Sequence, residues 1–251
     1  MTADCPHPPA APGHLGVELR EVPVGTRLVR FHSPAYPALS FNPNLDSAGA
    51  PRQMNVEEDG SRFNPFTNAA GSNVSTLYAG TTEHAAALES VFHDVPHVPD
   101  PPFPTSKLSH FVLSRFAVTR SLIVLDLINS QLRQVPVPGR DNQSLLESEI
   151  VHSSPLYYPI TRRWAQYFFN SLPAVQGLAW RPRLGGEGTS YVLFGDRISP
   201  TTDLAVDAPP IPIATGPGYV LLEKIASDAH ITLVTTKART RPSSAAAPKP
   251  M

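Results

Sequence analysis

Arg30, Arg62, Tyr78 and Glu89 fall within one stretch of the chain, in the strings LVRFHSP, GSRFNP and STLYAGTTEHAAALESVFH. An arginine fork grips phosphate oxygens in pairs, and it stays charged at any ordinary pH. A tyrosine ring stacks on a flat heterocycle. A carboxylate holds a sugar hydroxyl or stabilises a cation that develops during bond cleavage. Together these groups could hold a dinucleotide and split it at a glycosidic bond. Taken singly each has a plainer use: an edge arginine, a packed tyrosine, a solvated glutamate on an alanine-rich helix.

The elements that must position them can be read from pattern. Arg27-Leu-Val-Arg-Phe31 alternates and predicts a strand, which Pro34 and Pro37 end. Residues 40–73 are rich in Asn, Pro, Gly and Ser and read as loop. Residues 75–80 predict a short strand, and Thr81 or Thr82 then caps a helix to about Phe92, with Ala85, Glu89 and His93 on one face. Strands are expected at 108–118, 121–127, 177–181 and 190–195, and a helix at 143–151. The run RRWAQYFFNSL predicts a firmer helix with Trp164, Phe168 and Leu172 on one face. GYVLLEKIA and ITLVTT read as a hairpin or strand pair. Strands and helices mix without strict alternation, so the expected class is α+β.

Composition sets the outer limits. The 251 residues are 41% hydrophobic, enough for a core, and only 16% charged. There are 29 prolines, clustered as rigid loops between short elements. A formal net charge of −1 argues against direct nucleic-acid binding. The basic pairs Arg162-Arg163 and Arg181/Arg183 read as solvated surface. No apolar run approaches a membrane span. The start, MTADCPHPPAAPG, lacks the basic and apolar regions of a secretory signal, so the expected location is the cytoplasm. One cysteine, Cys5, excludes an intramolecular disulfide. The expected organisation is a flexible Pro-rich leader over residues 1–16, one domain over 17–236 and a flexible tail over 237–251.

Rival chemistries lack their signatures. There is no HExxH and no cysteine pair, so His84, His93 and His97 do not suggest a metal site, and none is expected. His32 and His110 read as packed or surface side chains. Leu184-Gly-Gly-Glu-Gly188 reads as a tight turn. Asp126 with His152 and Ser153 lacks the G-x-S-x-G elbow of a hydrolase.

Leu28-Val-Arg30, Gly60-Ser-Arg62-Phe-Asn64-Pro65, Leu77-Tyr78-Ala79 and Ala86-Ala-Leu-Glu89 together resemble the RES-domain family. That family shows an arginine after a short strand, a Gly-Arg-Trp/Phe-Asn-Pro loop, a tyrosine on the next strand and a Leu-Glu pair in the following helix. Thr161-Arg-Arg-Trp164-Ala165, Gly177-Leu-Ala-Trp180 and Val192-Leu-Phe194 resemble its second half. The resemblance implies a single domain with an ADP-ribosyltransferase-like mixed-sheet core and flanking helices. It implies a bacterial toxin paired with an Xre-type antitoxin, consuming NAD⁺ by phosphorolysis or hydrolysis. NAD⁺ would be substrate rather than cofactor, inorganic phosphate an optional co-substrate, and a homo-oligomer is allowed. The alternatives are mono-ADP-ribosyl transfer to a protein, or a non-catalytic module of the same fold.

Carried over, Arg30 and Arg62 would meet the pyrophosphate or an incoming phosphate. Tyr78 would stack on the nicotinamide side, Glu89 would hold a ribose hydroxyl, and Asn64 would touch substrate or cap its loop. Three features depart from the family. Phe63 replaces its tryptophan, Trp180-Arg181-Pro182-Arg183 lacks its serine, and the loop from Ser40 to Gly60 is longer than expected.

Overall fold

The computed structural model describes residues 5–56, 60–96, 98–140, 144–182 and 187–235. Its strands are β1 (Arg20–Val22), β2 (Arg27–His32), β3 (Thr76–Gly80), β4 (Pro102–Pro104), β5 (Val112–Val118), β6 (Leu122–Asp126), β7 (Gly177–Trp180), β8 (Ser190–Phe194), β9 (Leu204–Val206), β10 (Ile211–Pro212) and β11 (Thr232–Val234). Its helices are α1 (Glu83–Leu88), α2 (Asn129–Leu132), α3 (Glu147–Ile150), α4 (Tyr158–Ser171) and α5 (Gly216–Asp228). Nine strands form one mixed sheet in the order β1-β6-β7-β8-β3-β2-β5-β10, with β9 also on β5. All pairs are antiparallel except β6 with β7. Strands β4 and β11 form a separate parallel pair. The class is α+β.

The period of two along the strands divides the core between two faces. Leu77 and Ala79 of β3, Leu122 and Val124 of β6, and Tyr191 and Leu193 of β8 pack on one face with Leu28 and Phe116. Leu125, Leu178, Trp180, Val192 and Phe194 turn to the other, where α4 lays Trp164, Ala165 and Phe168 against them. A third cluster joins α1 and α5 to Val29, Phe31 and Leu113.

Several local expectations change. The helix expected to reach Phe92 stops at Leu88; beyond it the Ser90 and Phe92 amides both turn to the Ala87 carbonyl, and Ser90 Oγ donates to that of Ala86 (2.5 Å). Residues 105–110 form a 3₁₀ helix ahead of β5 rather than the start of a strand. The segment GYVLLEKIA is not half of a hairpin; it is α5, with Pro217 in its first turn. Its buried residues, Gly218, Leu222, Ile225 and Ala226, keep helical spacing. Gly218 is required there, since a Cβ would lie 2.1 Å from the Pro212 carbonyl oxygen. ITLVTT does hold a strand, but it pairs with β4.

The described part of the Pro-rich leader is packed, not loose. Cys5 and Leu15 are buried in the α4 cluster, and Trp164 Nε1 donates to the Pro6 carbonyl at 2.7 Å. Burial drives the Cys5 thiol up to about 12, with Glu149 adding to the shift, so it stays protonated and unreactive at neutral pH. The tail over 237–251 lies outside the described residues. Among the described residues, no helix is long and apolar enough to cross a membrane.

A candidate active site between two diverging strands

β2 and β3 are neighbours in the sheet, yet their ladder holds one register pair, Val29 with Gly80. Beyond it the strands part. Residues 40–42 swing across to β3, where Asn42 and Thr76 exchange two backbone hydrogen bonds (2.7 and 3.0 Å). The opening is a cleft of about 720 Å³. Arg30 and His32 of β2, Thr76 and Tyr78 of β3, Ser61 and Asn64 of the Gly60–Pro65 loop, and Glu89 after α1 line it. The far wall comes from the long loop, with Phe41, Asp46 and Arg52 among its residues.

Glu89 is held from two sides. Thr82 caps α1 by accepting the Ala85 amide (3.0 Å), and the helix then closes on Glu89 as its C-terminal cap. A carboxylate at a helix C-terminus is opposed by the helix dipole. Arg62 offsets this, donating from Nη1 to Glu89 Oε2 at 3.0 Å, with both side chains under 10% exposed. Burial works against the Arg62 charge, but Glu89 outweighs it, helped by Tyr158 and Tyr78, so the guanidinium is held more firmly protonated than usual. Phe63 and Tyr158 offer their rings to it at 5.9 and 5.7 Å.

Arg30 differs. Its Nη1 donates to the carbonyls of Ala38 and Ser40, both at 2.8 Å, and among the described residues no carboxylate forms an ion pair with it. Burial lowers its pKa to about 10, so it remains a cation at neutral pH on the cleft wall. His32 beside it is neutral in character: burial, then the Arg30 charge, lower its pKa. Its Nδ1 lies 2.9 Å from the Ser33 carbonyl and so carries the proton, leaving Nε2 to accept from Ser114 Oγ at 2.8 Å.

A hydrogen-bond chain fixes the tyrosine. Ser61 Oγ contacts both Asn64 Oδ1 and the Tyr78 hydroxyl, the latter at 2.8 Å. Asn64 Oδ1 can only accept, so it takes the serine proton. The Tyr78 hydroxyl then donates to Ser61 and accepts the Phe63 amide (3.2 Å). Asn64 Nδ2 donates to Asn44 Oδ1 (2.6 Å), and Asn44 Nδ2 to the Val74 carbonyl (2.7 Å). Burial raises the Tyr78 pKa well above the usual phenol value. The hydroxyl is thus consumed internally, and the ring is what Tyr78 presents. Tyr78→Phe is expected to cost about 1–3 kcal/mol of stability, because the Phe63 amide loses its acceptor, while most activity survives. Tyr78→Ala should abolish activity; parallel urea melts and turnover assays check both.

Gly60 makes the loop possible: a Cβ there would lie 2.2 Å from the Asn64 carbonyl oxygen. Asn64, expected to touch substrate or cap its loop, is buried and closes the loop onto Asn44 while still edging the cleft. Arg62 is brought to Glu89 but is not among the residues lining the cleft.

Other expectations sort as follows. Arg162 is not solvated surface; it is wholly buried. Its Nε donates to the Ser61 carbonyl (2.9 Å), and Nη1 to those of Met54 and Val56 (3.2 and 2.5 Å). Sequence reading missed it, although Tyr158, Thr161, Arg162, Ala165 and Phe168 follow the helical stripe that marks a buried face. Ser61 and Asn44 were missed too, and only Ser61 stands inside a motif. Arg163 is paired with Asn55 Oδ1 (3.0 Å), and Arg181 is exposed. Asp126 pairs with Arg20 at 2.9 Å. Ser190 faces Trp180 across β7 and β8 and bonds weakly to the Ala85 carbonyl (3.4 Å). His97, Arg183 and most of the turn at 184–188 lie outside the described residues. Among the described residues no group of three or more His, Cys, Asp or Glu could hold a metal.

No curated protein matches the chain. A family model for the RES domain matches residues 27–214. The matched span runs from β2 through β10 and contains Arg30, Arg62, Asn64, Tyr78 and Glu89, and the chain therefore belongs to the RES-domain family.

Proposed function

We propose that this chain is an NAD⁺-consuming enzyme that breaks the bond between nicotinamide and ribose, acting as the toxin of a toxin–antitoxin pair with an Xre-type protein as its antitoxin. The observation that carries the reading is Glu89, held from behind by Arg62, on the wall of a cleft of about 720 Å³ that Arg30 and Tyr78 also line. In the reaction the C1′–N bond breaks with both electrons passing to the nicotinamide nitrogen, which neutralises the pyridinium. The ribose is left with oxocarbenium character. Glu89 accepts a hydrogen bond from a ribose hydroxyl and places its negative charge beside that cation. Arg62 keeps the carboxylate aimed. Arg30 takes the pyrophosphate, or phosphate entering as acceptor, and Tyr78 offers its ring to the flat base. Phosphate, water or a protein side chain then takes C1′.

The test is NAD⁺ loss and nicotinamide release by the purified chain, with and without phosphate. Release that needs phosphate identifies phosphorolysis; release in its absence identifies hydrolysis. Intact NAD⁺ under both conditions would overturn phosphorolysis and hydrolysis.

The Arg30 charge on the cleft wall gives a second expectation. An anion in the cleft should stabilise the fold by about 2.7 kcal/mol at a hundred times its Kd. Thermal melts with pyrophosphate should show this for the wild type and lose it in Arg30→Gln. An equal shift in the variant would remove Arg30 from the binding role.

A further inference from the structure

Resting on that reading, we propose that Arg162 and Thr161 of α4 are positioning residues for the reaction: they hold the Gly60–Arg62 loop so that Arg62 stays against Glu89. Thr161 Oγ1, itself buried, donates to the Arg62 carbonyl at 2.5 Å, while Tyr158 three residues earlier stands beside the Arg62 guanidinium. Arg162 gathers the carbonyls of Met54, Val56 and Ser61, so one guanidinium joins both ends of the segment that carries Ser61 and Arg62. Neither side chain lines the cleft. α4 is fixed to the sheet by Trp164 and Phe168, both fully buried. The loop is registered on this anchored helix through the backbone carbonyls of Ser61 and Arg62.

The consequence is specific. Loosening this grip displaces Arg62 and hence the Glu89 carboxylate, while Arg30, whose bonds go to the Ala38 and Ser40 carbonyls, stays in place. Binding should survive and chemistry should suffer, since misplacement of about 1 Å can cost a hundredfold.

The experiment compares wild type, Arg162→Lys, Arg162→Met and Thr161→Val. It uses steady-state nicotinamide release and hydrogen exchange of peptides spanning residues 52–64. Thr161→Val removes one hydroxyl at nearly constant volume, and so keeps the test valid where Arg162→Met fails to fold. The expected result is faster exchange confined to that segment, and kcat lowered about ten- to a hundredfold with KM within about threefold of wild type. Arg162→Lys should recover part of the loss seen in Arg162→Met. Unchanged exchange in the segment overturns the proposal, as does a loosened segment with wild-type kcat per folded molecule. If wild-type protein releases no nicotinamide, the proposed reaction fails. Exchange then decides the positioning claim alone: a loosened segment upholds α4 as the holder of the ion pair, and an unchanged one overturns it.

Discussion

Glu89→Gln is expected to lower kcat for nicotinamide release by about a hundred- to a thousandfold, the usual cost of deleting one preorganised electrostatic partner of a transition state. KM should change little. Glutamine keeps the shape of the side chain, and its carbonyl still accepts from Arg62 Nη1, which Glu89 Oε2 meets at 3.0 Å. What it loses is negative charge beside the ribose as the C1′–N bond breaks. Chromatographic assay of nicotinamide over a range of NAD⁺ concentrations separates the two parameters. A variant within about threefold of wild-type kcat would remove Glu89 from the chemistry.

Arg62→Leu should be the most destabilising single change at the site, at about 3–5 kcal/mol, because it leaves the Glu89 carboxylate buried without its cation. The side chains are 6% and 9% exposed, so water cannot easily take over. The double variant Arg62→Leu/Glu89→Leu should recover much of that loss, since neither charge is then buried alone. Urea denaturation of the wild type, both single variants and the double variant gives the coupling directly. Additive losses would show that the pair does not act as a unit. The cycle also separates fold from function: the double variant should be folded and inactive.

Much of this was legible in the chain, for identifiable reasons. Arg27–Phe31 carries the period-two pattern of a strand and SLIVLDL a continuous apolar, β-branched run, and both are strands. Thr82 was readable as a cap because its hydroxyl precedes an alanine-rich run. GYVLLEKIA was misread because a short run with Tyr, Val and Leu fits a strand as well as a buried helix. The Gly-Pro at its start was the stronger signal. The end of α1 was hidden because no glycine or proline marks it. Three of the four motif side chains line one cleft and the fourth, Arg62, stands behind Glu89, but their division of labour was not readable. Pattern treats Arg30 and Arg62 alike. Their partners separate them, one lining the cleft and bonded to backbone carbonyls, the other paired with Glu89. Arg162 was discounted because arginine is usually solvated, although its place on the apolar stripe of α4 says otherwise.

The most direct test of the central claim is a crystal structure of the Glu89→Gln variant with intact NAD⁺. A hydroxyl of the nicotinamide ribose should lie within about 2.7–3.2 Å of the residue 89 side chain, and the pyrophosphate against Arg30. NAD⁺ bound outside this cleft, or lying in it with the adenosine at residue 89, would contradict the account.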